Sequence, residues 1–198
     1  VGDTSTSYNA VSTGQDLTDN RSPEVLIAEA VEMAKDADYV IFVGGLNKSD
    51  HQDSESTDRL QITLPYDQED VILALAEVAK NLVVVNISGS PVAMPWADSA
   101  DAIVQGWYGG TESGNALADV LTGKVNPSGR LPFSVPFKYE DGPIKTEAQY
   151  PGIKTEDDEF WQTHYSEGVY VGYRWYATQE IPVQFPFGHG LSYTTFEY

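Results

Sequence analysis

Two stretches constrain the fold more than anything else in the chain. PEVLIAEAVEMAKDADYVIFV (23–43) and PYDQEDVILALAEVAKNLVVVNI (65–87) each run from a helical pattern straight into a continuous apolar, β-branched strand. A strand with no polar alternation is the kind that a parallel sheet covers on both faces. Helices alternating with such strands specify an α/β fold. In the first helix Ser22 is placed to cap, Pro23 fits the first helical position and Glu24 suits the positive end of the helix dipole. Its apolar stripe is Val25, Ile27, Ala28, Val31, Met33 and Ala34. Asp67 is the corresponding cap of the second helix.

The pattern continues with AIVQGWY as a third strand and TESGNALADVLTG as a short helix, started by Thr111 and Glu112 and closed by Gly123. RLPFSVP reads as an edge strand, because prolines bracket it. The expected fold is a doubly wound, mostly parallel sheet flanked by helices, a three-layer α/β/α sandwich. Residues 1–21, rich in Ser, Thr, Asn and Asp, are expected to form an irregular arm, and residues 22–136 the sandwich core. Residues 137–198 are expected to be an extended loop and an aromatic arm completing the same domain.

Composition narrows the function classes. A net charge of −19 argues against nucleic acid as a partner, since a binder needs cationic groups to replace phosphate counterions, and equally against an anionic membrane surface. A neutral ligand such as a sugar is compatible with that charge. Without cysteine there is neither a disulfide nor a thiolate metal site. No apolar run reaches the length of a membrane helix, and no targeting segment is evident.

The chemistry-bearing candidate is the stretch after YVIFV, where Asp50, Asp53, Glu55 and Asp58 fall close together with Arg59. Ligands of open parallel sheets bind beyond the carboxyl ends of the strands, so this loop is on the correct rim. On the residues alone it is either a site or a solvated acidic loop with few apolar anchors. The carboxylate spacing does not match a calcium loop and lacks its glycine, and VGGL lacks the third glycine of a dinucleotide loop. His51, His164 and His189 have no serine partner in a nucleophile elbow; His189, between glycines, reads as part of a turn. Trp107 and Tyr108, at a strand end, either border a sugar site or pack in the core.

Four segments occur in order: ESTDRLQITLP, NISGSPVAMPW, WYGGTESGNALADVLTGKVNPSGRLPFSVP and YVGYRWYATQEIPVQFPFGHGLSYTTFEY. Together they resemble the C-terminal α/β sandwich domain of glycoside hydrolase family three, the β-glucosidase and β-xylosidase family, over residues 22–198. The resemblance implies part of a retaining, exo-acting β-glycosidase without a cofactor, acting on a β-linked glucoside or xyloside. It implies an aspartate nucleophile on a separate N-terminal barrel domain of the same polypeptide, whose motif is not among these residues. It also implies a general acid/base glutamate in a Glu-Gly-x-Asp-Arg frame followed shortly by Leu-Pro. Glu55, Asp58 and Arg59 with Leu64-Pro65 fit that frame, Ser56 standing where glycine is usual. Glu55 is thus the expected acid/base, with Asp53 its runner-up, and Asp58 and Arg59 are expected to order the loop. The aromatic arm either braces this domain against the barrel or packs its own core. A secreted or periplasmic precursor is the expected setting. The competing reading is a non-catalytic carbohydrate-binding or structural module.

Overall fold

The computed structural model of the chain describes residues 19–55 and 57–197. Most of the expected N-terminal arm (1–18) and Ser56 lie outside the described residues. The chain forms two compact units, Val1–Ala118 and Asp119–Tyr198.

In the first unit, helix α1 (Pro23–Ala34) leads to strand β1 (Val40–Gly45), helix α2 (Gln68–Ala76), β2 (Leu82–Ile87) and β3 (Ala102–Gln105). The strands lie in the order β1-β2-β3 and both pairs are parallel, with Val40 opposite Leu82 and Val83 opposite Ala102. Helix α2 packs against β1 and β2, and α1 packs against α2. The result is a parallel sheet with flanking helices, an α/β sandwich.

Pro23 is the first residue of α1, and Ser22 precedes it in extended conformation (φ −70°, ψ 156°). The Ser22 hydroxyl does not cap the helix; it hydrogen-bonds to the Glu24 carboxylate and lowers its pKa. Asp67 precedes α2 in a left-handed conformation (φ 55°), also without a side-chain cap, and its carbonyl accepts from Asp70 and Val71. The covered side of α1 is Leu26, Ile27, Ala30, Val31 and Ala34, a stripe rotated from the expected one; Val25, Ala28 and Met33 face outward.

The core of this unit gathers on β2. Leu82, Val84, Val85, Ile72 of α2, Val92 and Trp96 are all essentially inaccessible, and each such side chain contributes about 1.5–3 kcal/mol by leaving water. β1 departs from the expectation of two covered faces: Ile41 and Val43 are 50% and 57% exposed. Among the described strands β1 pairs only with β2, and no described element lies over those two side chains.

The second unit begins within helix α3 (Ser113–Leu121), which follows a short 3-10 turn at Gly110–Glu112 and ends at Gly123 (φ 75°), whose N–H bonds to Val120. Of RLPFSVP only Val135–Pro136 forms a strand, β4. It pairs antiparallel with β5 (Val183–Phe185) in a separate two-stranded sheet, apart from the parallel one. Proline supplies no ladder donor, which limits how far this strand extends. Between them lies a short helix, α4 (Tyr173–Thr178).

The C-terminal segment then lines up against the stretch after α3. Gly188 N–H donates to Leu131 O and Leu131 N–H to His189 O, each at 2.8 Å. Ser192 Oγ donates to Pro127 O at 2.6 Å, and Asn126 bonds to both Tyr193 N–H and Thr194 Oγ1. The segment after α3 and the C-terminal segment are therefore hydrogen-bonded to each other within one unit.

Truncating Ile72 to Ala should cost about 2–5 kcal/mol of stability, because the side chain is fully buried against the central strand. Val43→Thr, on the open face of β1, should stay within about 0.5 kcal/mol. Urea unfolding of the two variants tests the assignment of covered and open faces.

Candidate active site

The acidic loop leaves the carboxyl end of β1. Gly45, the last strand residue, has φ 142°, and a Cβ there would lie 2.0 Å from Ile87 O, so only glycine fits against β2. Gln68, the first residue of α2, holds this corner: its Oε1 accepts from Gly45 N–H (2.7 Å) and its Nε2 donates to Gly45 O (2.9 Å). Leu46 then continues the ladder to Ile87 O and is buried.

Beyond Leu46 the loop takes its order from polar contacts. Gln52 is buried; its Oε1 accepts from Asn47 N–H (3.0 Å) and its Nε2 donates to Tyr66 Oη (2.5 Å). His51 is in the left-handed region (φ 62°), its N–H donates to Thr57 Oγ1, and its Nδ1 lies 2.9 Å from Asp58 O. Ser54 and Thr57 hydroxyls are 2.7 Å apart.

Asp53 reaches back to the sheet. Its Oδ1 accepts from Ser90 Oγ at 2.5 Å, and its Oδ2 accepts from Gly89 N–H at 2.7 Å and from Tyr108 Oη at 2.8 Å. Burial alone would raise the pKa of this carboxyl group. The three hydrogen bonds and the charge of Arg59 outweigh that and hold it below the usual aspartate value. Tyr108 is pushed the other way, well above the ordinary phenol range, by burial and by the adjacent Asp53 carboxylate. Tyr108 follows Trp107, which turns the chain left-handed (φ 53°) just after β3.

Arg59 lies on the other side of Glu55. Its guanidinium donates to Pro91 O (2.6 Å), Ile62 O (2.9 Å) and Ser90 Oγ (3.1 Å). Burial lowers its pKa, against the charges of Asp53 and Tyr108 that face it. Asp58 is exposed, and its backbone carbonyl meets His51. Glu55 is exposed and makes no hydrogen bond or ion pair among the described residues. Asp50 is also exposed.

Gly89 and Ser90 were not singled out by the sequence reading, although SGSP follows directly on β2 at the same rim as the acidic loop. That position was the signal available. Tyr108 was noted only for its aromatic ring; its hydroxyl is what bonds to the loop.

Because the folded Asp53 has a depressed pKa, its contribution to stability is complete above the unfolded value of about 3.9 and is lost as pH falls through the folded value. After discounting for solvent screening, Asp53→Asn should cost about 1 kcal/mol at neutral pH. In denaturant titrations the gap between parent and variant should stay constant from about pH 7 to pH 5 and narrow below about pH 4.

Comparison with known proteins gives a single outcome. Residues 2–193 match the model of the glycosyl hydrolase family 3 C-terminal domain. The chain is 52% identical to beta-glucosidase BoGH3A of Bacteroides ovatus over 172 residues, 86% of this chain and 22% of that protein. It is 44% identical to thermostable beta-glucosidase B of Acetivibrio thermocellus over 187 residues, 94% of this chain and 23% of that protein. Among solved structures, a beta-glucosidase from Kluyveromyces marxianus in complex with glucose superposes with a TM-score of 0.79 at 41% identity, covering 91% of this chain and 20% of the other. A Bifidobacterium adolescentis GH3 beta-glucosidase gives 0.78 at 41% identity, covering 91% and 25%. The chain thus spans about a fifth to a quarter of the length of these proteins. With its parallel sheet, its flanking helices and this match over nearly its whole length, the chain belongs to the glycosyl hydrolase family 3 C-terminal domain family.

Proposed function

We propose that this chain supplies the general acid/base of a retaining, exo-acting β-glycosidase, with Glu55 in that role. A β-linked glucoside is the substrate favoured by the names of the relatives given above, which are β-glucosidases. The nucleophile is an aspartate on an N-terminal barrel domain of the same polypeptide. Two carboxyl groups about 5–5.5 Å apart then divide the work. The aspartate attacks the anomeric carbon while Glu55 protonates the departing oxygen. In the second step Glu55, now ionised, takes a proton from water as it opens the glycosyl-enzyme bond.

The observation that carries this reading is the contrast between Glu55 and Asp53, two residues apart. Asp53 is ionised, depressed in pKa and engaged by three donors, so it has no proton to give and no freedom to reach a substrate. Glu55 is exposed and uncommitted, in a loop anchored on both sides of it. A general acid must reach the glycosidic oxygen, and the exposed Glu55 side chain, unlike that of Asp53, is not held away from it.

A catalytic acid without its nucleophile forms no covalent intermediate, so this chain alone should turn over no aryl β-glucoside or β-xyloside above background. Turnover by the purified chain, abolished by a substitution within it, contradicts the proposal. In the full-length enzyme, Glu55→Gln should slow cleavage of glucosides with poor leaving groups by about 10²–10⁴. Substrates with very good leaving groups should still form the intermediate, which then accumulates. Azide should relieve that second defect and give a β-glucosyl azide. If Asp53→Asn rather than Glu55→Gln produced this behaviour, the acid would be Asp53.

A further inference from the structure

Among the described residues Glu55 has no hydrogen bond or ion pair that fixes its position, yet an acid that protonates a leaving oxygen has to be held to within a fraction of an ångström. The segment Gly89–Ser90–Pro91 receives the loop on both sides of Glu55. Asp53, two residues before it, bonds to Gly89 N–H and Ser90 Oγ; Arg59, four residues after it, bonds to Ser90 Oγ and Pro91 O. Ser90 Oγ joins the two, accepting from Arg59 and donating to Asp53.

This seat is itself fixed from inside the sheet. Ser88 is fully buried, and its hydroxyl donates to Ser90 O at 2.9 Å. Asn86, buried near the end of β2, donates to Gln105 Oε1 (2.9 Å) and Ser88 Oγ (3.1 Å). Gln105, at the end of β3, donates through Nε2 to Ser88 O (2.9 Å) and Ser88 Oγ (3.1 Å). Every side-chain donor of this network meets an acceptor, while the buried Asn86 Oδ1 has no partner among the described residues; redirecting any of these donors leaves a further buried group unpaired. Gly89 lets the ring lie close: a Cβ there would be 3.1 Å from the Tyr108 ring, which would have to shift by a few tenths of an ångström.

We propose that Asp53 is a positioning residue for the reaction, and that the Asn86–Ser88–Gln105 network, acting through the Gly89–Pro91 seat, sets the placement of Glu55 from the parallel sheet. The proposal rests on the reading of Glu55 as the acid/base. Tyr108 belongs to the same device through its bond to Asp53 Oδ2. Asp53 exchanges no proton with substrate; it acts by fixing the loop, so its loss affects only the steps in which Glu55 takes part.

The test uses the full-length enzyme with Asp53→Asn, Ser90→Ala and Tyr108→Phe, alone and combined, each variant first checked for folding by its melting temperature. Asp53→Asn should lower kcat on a poor-leaving-group glucoside by about 10–100-fold, with KM changed less than about twofold. Formation of the intermediate from a very good leaving group should be unaffected. The basic limb of the pH–rate profile should persist, since the acid/base residue itself is still present, and azide should relieve only the step in which water is activated. Tyr108→Phe should move kcat in the same direction by less, and adding it to Asp53→Asn should have little further effect, because the two share one cluster. If Asp53→Asn fails to fold, Tyr108→Phe and Ser90→Ala carry the same readouts. Parental kcat on the poor leaving group in all folded variants, with Glu55→Gln still defective, overturns the positioning role alone. Loss of the basic limb in Asp53→Asn, with the limb kept in Glu55→Gln, would overturn the reading of Glu55 as well.

Discussion

The Asp53 carboxylate is where the loop leaving β1 meets the loops leaving β2 and β3, and the order of the rim depends on that contact. Its three donors come from Gly89, Ser90 and Tyr108, distant in sequence and brought together only when the sheet forms in its register. A carboxylate with three donors and a nearby guanidinium is stable in its charged form even where partly removed from water. The same contact that lowers its pKa joins three segments of chain. A neutral residue there would leave Gly89 N–H and two hydroxyl groups to find other partners.

The sheet provides the rigid base. β2 is buried along most of its length, so Asn86 and Ser88 at its carboxyl end sit where unpaired polar groups are costly. That cost gives the network its precision: side-chain amides and hydroxyls at the sheet end have one arrangement that satisfies their donors, and Ser90 inherits its position from it. Glu55, in the loop held by this base, is exposed and has no hydrogen bond or ion pair among the described residues. Stability and reactivity are thereby assigned to different carboxylates on one short loop, a division consistent with an acid that must cycle through two protonation states.

The helices and strands of the first unit were legible because periodicity reports burial directly. The runs at 40–45 and 82–87 and the helices that precede them stand where the pattern puts them. Pattern says less about which neighbour does the burying, so Ile41 and Val43 read as covered although no described element covers them. RLPFSVP carries strand-like residues, but two prolines restrict its pairing, and its partner lies in the aromatic C-terminal stretch rather than in the parallel sheet. Asp53 could be ranked but not given a role from sequence. What distinguishes it from Glu55 is a set of donors 36, 37 and 55 residues away, and no local spacing encodes those contacts.

The most direct measurement is a crystal structure of the full-length enzyme holding an uncleaved thioglucoside across the scissile bond. The Glu55 carboxyl is expected within hydrogen-bonding reach of the bridging sulfur, a few tenths of an ångström beyond the roughly 2.6–3.2 Å of an oxygen contact, with Asp53 still bonded to Gly89, Ser90 and Tyr108. An Asp53 carboxylate that had left that seat to face the bridging atom, with Glu55 turned to solvent, would contradict it.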